Sequence, residues 1–225
     1  MRKLFDLENP VFQLISHLVD LVVLGLTCMV CCVPVVTAGA AVTALFKAVY
    51  DLTLERGGGV MKIYFAAFRT NFRQATAAWL LALLGFASLL CDWMLLKLYF
   101  QGTAYTVLAW AVLALALGLE GLLCYVFPLI SRYENTLTEH VHNAGILMIR
   151  YFPKTLLMVL IQMLPLLMFC YLPFILLQTL LFWILLCPGF SAQANAFLLQ
   201  PVFAALEAKA AEKAAGPEED AAGEE

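Results

Sequence analysis

Residues 15–36, ISHLVDLVVLGLTCMVCCVPVV, contain one acid, Asp20, and neither Lys nor Arg. About twenty apolar residues in an α-helix, rising 1.5 Å each, cross the roughly 30 Å hydrocarbon core of a bilayer. Residues 75–90, 104–119 and 156–192 have the same character and carry no charged side chain. The short segments between these stretches hold nearly all the Lys and Arg. This block pattern predicts an all-α fold, a polytopic transmembrane helical bundle whose principal partner is the lipid bilayer.

Composition agrees. The chain is 64% hydrophobic and only 13% charged, whereas soluble domains need about 25% charged residues to cover their surface. The net charge of −3 reflects the acidic end of the chain, and the remainder is mildly basic. No basic patch with interleaved aromatics points to nucleic acid. All seven cysteines fall in apolar stretches, unlike a secreted disulfide framework. Cys28 and Cys31 have the C-x-x-C spacing of redox or metal sites, but no His or acid adjoins them, and small soft side chains packed between helices explain them as well. The first residues include Asp6 and Glu8 and no small-x-small cleavage site, so the first apolar segment is expected to remain as an anchor.

Spans are predicted over residues 12–33, 75–96, 104–130, 155–176 and 178–199. Pro34 ends the first, and the Pro34–Gly39 turn precedes a helix over residues 40–55. On that helix Gly39, Thr43, Lys47, Asp51 and Glu55 recur every four residues and share one face, beside a stripe of Ala40, Ala44 and Ala48. It either crosses inside the bundle or lies flat at the interface. Residues 60–74 read as an amphipathic helix at headgroup level, with Phe65, Phe68 and Phe72 opposite Lys62, Arg69 and Arg73. Trp79 and Trp93 mark the two ends of the next span. A second polar segment, residues 131–154, is broken at Asn143-Ala144-Gly145. The membrane domain comprises residues 1–203, and the tail, 204–225, is helical to Ala215 and disordered from Gly216.

Orientation follows from the cations. With Arg56, Lys62, Arg69, Arg73, Arg132, Arg150, Lys154, Lys209 and Lys213 in the cytoplasm, only Lys97 is left in an outer loop. Six spans put both termini inside; five, with residues 40–55 not crossing, put the N-terminus outside. Six is preferred because Arg2 and Lys3 then also face inward. The cost is Lys47 near mid-depth, about 2.5–3.5 kcal/mol on insertion scales unless it snorkels or pairs. Phe68–Gln74 and Ile149–Thr155 are similar basic-aromatic approaches to a span, which fits either a parallel duplication or the common composition of cytoplasmic membrane boundaries.

Ionisable groups inside a bilayer are candidate functional residues. Asp20, Lys47, Asp51 and Glu120 form a possible polar track for a solute or protons; the alternative is ion pairing between helices, with Lys47 neutralising Asp51, Glu120 or Asp20. His17, His140 and His142 lack the spacing of metal ligands, and no phosphate loop, nucleophile elbow or paired carboxylates are present. No catalytic residue, metal or cofactor is expected.

Pro34-Val35-Val36-Thr37-Ala38-Gly39-Ala40 followed by Ala44-Leu45, then Phe68-x-x-Asn71-Phe72-x-Gln74-Ala75 and Phe127-Pro128-Leu129, with Leu4-Phe5 near the start, resemble the bacterial YesL family. The resemblance extends over residues 4–200. It departs at Leu24-Gly25-Leu26, where the family often has Asn, and the acidic tail is an addition. The family has no established molecular function. The resemblance implies a multi-pass protein of the bacterial plasma membrane linked to carbohydrate uptake, with a sugar ABC transporter or a sensor protein as its partner. On this expectation Phe68, Arg69, Asn71, Phe72, Arg150 and Lys154 form the docking surface of a non-enzymatic accessory protein. The second reading is a small-solute permease that uses the polar track and the helices broken at Pro34, Pro165 and Pro188.

Overall fold

The computed structural model describes residues 10–54, 59–171, 174, 177 and 180–215. Expectations about residues 1–9, Glu55, Arg56, Pro173 and the acidic segment 216–225 lie outside the described residues. All regular structure among the described residues is helical. The helices are α1 (Pro10–Cys32), α2 (Ala38–Thr53), α3 (Val60–Tyr99), α4 (Gly102–Arg132), α5 (Leu137–Arg150), α6 (Phe152–Tyr171) and α7 (Leu180–Ala215), with one 3-10 turn at Val35–Thr37. Among the described residues, segments 13–32, 35–53, 60–99 and 102–132 are each long and apolar enough to cross a membrane. The pair α5–α6, bent by 104°, adds a fifth if it counts as one span. This is the architecture expected of a multi-pass membrane protein.

Pro34 ends α1 as the sequence indicates. Thr37 closes the corner: its hydroxyl donates to the Cys31 carbonyl at 2.6 Å and to the Pro34 carbonyl at 2.8 Å. The indole of Trp79 reaches across from α3 and donates to the Val35 carbonyl at 2.7 Å. Gly39 then lets α2 lie directly on α3, since a Cβ there would collide with the Ala75 backbone and the Trp79 side chain. A small residue at such a contact allows close backbone approach. Gly189 on α7 does the same against the Leu21 backbone of α1. Gln74 donates to the Asn135 carbonyl at 2.7 Å, fixing α3 to the α4–α5 linker.

Three expectations are corrected. Residues 60–74 and the following span form one helix, α3, 40 residues long, and neither Pro nor Gly interrupts residues 60–84. At 1.5 Å per residue it is about 60 Å long, so its first half cannot lie flat on the membrane while the second crosses. Trp79 accordingly sits at mid-helix and fastens a corner. The break at Asn143–Gly145 is absent, and α5 runs through it. His140, Ala144 and Leu147 form one buried stripe there, and their packing outweighs the roughly 1 kcal/mol propensity cost of Gly145. The helix is also anchored at its start by a Thr136/Glu139 capping box. Finally, α7 continues through both Pro188 and Pro201 to Ala215. Buried Leu199, Val202 and Phe203 flank Pro201 and hold the helix in line.

The buried core joins α2 (Ala40, Ala44, Ala48, Val49), α4 (Leu123–Ile130), the first half of α3 and α7 (Ala192–Phe203). α3 and α4 form an antiparallel hairpin with a two-residue linker. Gly102 opens α4 at φ +63°, a conformation that suits glycine.

Candidate functional site

A polar junction lies where the end of α4 meets residues of α2 and α7. Arg132 occupies the last turn of α4 and is followed by extended Tyr133. Its guanidinium carbon sits 4.3 Å from the ring centre of Tyr50, 4.9 Å from Phe203 and 5.8 Å from Tyr133. The rings meet edge to face, Tyr50 to Phe203 at 6.5 Å and Tyr133 to Phe203 at 6.0 Å. Nη2 of Arg132 donates to Oε1 of Glu207 at 2.7 Å, while Nη1 is buried and makes no hydrogen bond. Phe203 and Glu207 are four residues apart on α7, so one helix face supplies both a ring and a carboxylate. The Arg132 side chain is 16% exposed and that of Glu207 52%. The ion pair is therefore worth no more than about 1 kcal/mol, the same order as each cation–ring contact.

Beside Arg132, α2 contributes Lys47, whose Nζ lies 3.6 Å from Oδ2 of Asp51 one turn on. Lys47 pairs with Asp51 and not with Asp20 or Glu120. Lys47 and Arg132 line one cleft together with Phe46, Tyr50, Ser131 and Phe203, of about 30 Å³. Solute pockets typically measure about 300–1,000 Å³. This space takes a group of a few atoms and excludes a sugar ring.

The other candidate residues are dispersed. Asp20 is half-buried on α1 beside Leu21, the residue that meets Gly189, and Glu120 is half-buried where α4 enters the core. Of the proposed track only Lys47 and Asp51 are brought together. On α3, Arg69 and Phe72 are exposed, Asn71 is half-buried, and Phe68 stacks on Tyr64 and meets Phe72 at a tilt of 59°. Arg150 and Lys154 both lie over the Tyr151 ring, at 5.9 and 5.4 Å. α3 packs on α2 and α4, whereas α5 packs on α4 and α6.

Several polar contacts were not apparent in the sequence. Gln193 on α7 donates to the Thr53 hydroxyl at 3.0 Å, and buried Asn195 is nearby in sequence. Tyr125 and Thr155 share a hydrogen bond of 2.9 Å joining α4 to α6, and Gln162 donates to the Cys124 sulfur at 2.9 Å. His140 is fully buried with neither ring nitrogen hydrogen-bonded, and desolvation lowers its pKa from the ordinary 6.5. Glu139, one residue away, is held below the usual carboxylate range by the Thr136 backbone N–H and hydroxyl. The i, i+4 spacing of Phe203 and Glu207 was the available signal for the Arg132 junction. Cys28 and Cys32, on successive turns of α1, have sulfurs 3.9 Å apart. Among the described residues, no three His, Cys, Asp or Glu side chains converge as metal ligands.

No curated protein and no solved structure matches this chain. Residues 18–93 match the family described as "Protein of unknown function, DUF624", a segment that includes the Pro34–Gly39 corner and the Phe68–Ala75 stretch locked to it.

Proposed function

We propose that the protein is a non-enzymatic accessory component of bacterial carbohydrate uptake, residing in the plasma membrane and docking a sugar transporter or sensor on its cytoplasmic side. The observation that supports docking is the length of α3. A 40-residue helix of about 60 Å is twice the hydrocarbon thickness, and tilts of up to about 40° do not absorb that excess. Its first half therefore extends beyond the hydrocarbon. That half leaves Lys62, Arg69, Arg73, Phe65 and Phe72 exposed, a mixed cationic and aromatic surface of the kind partner proteins use. The link to sugars rests on the YesL resemblance. The permease reading is weaker because the polar track is dispersed and the cleft beside Lys47 is too small for a sugar.

The accompanying topology has six crossings, with both termini and the α2–α3 loop in the cytoplasm. Reporter fusions at these three places test it, and an external N-terminus replaces it with five. The function is tested by crosslinking in native membranes. Stoichiometric recovery with a sugar permease, lost in Arg69→Glu/Phe72→Ser, is the expected result. Sugar flux in liposomes holding this protein alone overturns it.

A further inference from the structure

We infer that the face of α4 around Glu120, with Gln162 of α6 beside it, docks a membrane helix of another protein that carries Lys or Arg at mid-depth. Glu120 lies 12 residues before Arg132 on α4, about 18 Å farther into the membrane at 1.5 Å per residue. Half the hydrocarbon thickness is about 15 Å, so a carboxyl on its short stem cannot reach the headgroups. Among the described residues the half-buried Glu120 has neither a cation nor a hydrogen bond, since Lys47 pairs with Asp51 and Arg132 with Glu207. Gln162 is the second unmatched group. Among the described residues its one hydrogen bond runs from Nε2 to the Cys124 sulfur, a weak acceptor, and its carboxamide oxygen accepts none. Cys124 lies one turn after Glu120, so carboxyl and carboxamide flank one thiol at the α4–α6 contact. Unmatched polar groups are costly in hydrocarbon, and polar contacts between helices relieve that cost. The face is open. Leu113 and Leu117, on the Glu120 side of α4, are 41% and 43% exposed, and Leu166, one turn beyond Gln162, is 55% exposed. Charge selects the occupant, because an acid at this depth is neutralised by a cation on the incoming helix. A second copy of this chain does not match: Lys47 is already paired, and Lys97 stands in the last turn of α3 over Trp93.

The intact protein, donor-labelled in phosphatidylcholine vesicles, is mixed with an acceptor-labelled Leu/Ala helix of about 21 residues bearing Lys at its centre. Energy transfer is followed against peptide density, and the same helix with Leu in place of Lys is the reference. No sugar transporter is present, so the result is independent of the α3 docking surface. The Lys helix is expected to associate about tenfold more strongly, the value of one polar contact between membrane helices. Glu120→Leu suits a lipid-facing helix, so it leaves folding intact, and it is expected to abolish the preference. Equal association of the two helices, or a Lys preference that survives in Glu120→Leu, overturns the inference. Energy transfer between differently labelled copies of the protein, lost in Glu120→Leu, also overturns it by assigning the face to a second copy.

Discussion

Along α4, residues 102–120 include one buried position, Ala109, while residues 121–130 include nine. α3 shows the matching contrast, with no buried residue after Ala82. Both halves are apolar, yet the outer half of α4 meets only α3, as in the Trp93–Tyr105 contact, while the inner half is buried in the core. The outer half alternates Ala and Leu around the whole helix and presents Trp110 and Leu115 outward, as a lipid-facing hairpin does. The inner half carries Tyr125, bonded to Thr155 on α6, Phe127, whose ring lies 6.4 Å from that of Trp79 on α3, and Pro128, which lines the cleft with Tyr50 and Phe203. Hydrophobicity thus identifies what leaves water, and side-chain shape and hydrogen-bonding capacity decide what packs on protein.

Truncation gives the largest expected separation of the two halves. Tyr125→Ala removes a fully buried ring and the hydrogen bond to Thr155 and is expected to cost about 3–5 kcal/mol. Leu115→Ala, facing outward, is expected to change stability by less than about 0.5 kcal/mol. Reversible unfolding in mixed micelles measures both, and equal losses would remove the distinction. Backbone approach separates them next. Gly39→Val is expected to destabilise by about 3 kcal/mol because α3 backbone blocks the new side chain. Gly118→Val, with open space around it, is expected to be nearly neutral. Comparable melting of these two variants would show that α2 and α3 separate more easily than their contact indicates.

The fold class and most helix positions were legible because apolar run length and Pro34 act locally. The continuity of α3, α5 and α7 was not, since it depends on neighbours: Ala144 and Val202 hold helix through sequence that favours a break. The Lys47–Asp51 pair could be read from spacing within α2. The Arg132 junction showed only in the i, i+4 spacing of Phe203 and Glu207, because it brings together residues as far apart as Tyr50 and Phe203, 153 positions, by tertiary contact.

Smaller effects refine the inner half. Lys47→Ala is expected to cost on the order of 1 kcal/mol, since a partly exposed pair is screened; a loss of about 3–5 kcal/mol in the same unfolding assay would place the pair in a dry site. His140 sets a pH dependence. Its folded pKa lies below its unfolded value of 6.5, so the unfolded chain binds more protons between the two. Stability should hold above pH 6.5 and fall as the pH drops toward the lowered folded value. His140→Gln should flatten that slope in melting curves taken from pH 7.5 to 5, and an unchanged slope would assign it to another group.

The unbroken course of α3 makes it a lever. Sharp bends in helices arise at proline, at glycine–serine pairs or at π-bulges, and between Val60 and the Trp79 fastening α3 has none of these. With 19 residues between Val60 and Trp79, about 28 Å of helix, a tilt of α3 at the Pro34–Gly39 corner carries Lys62 and Arg69 with it, so the angle at that corner sets where the cationic surface stands.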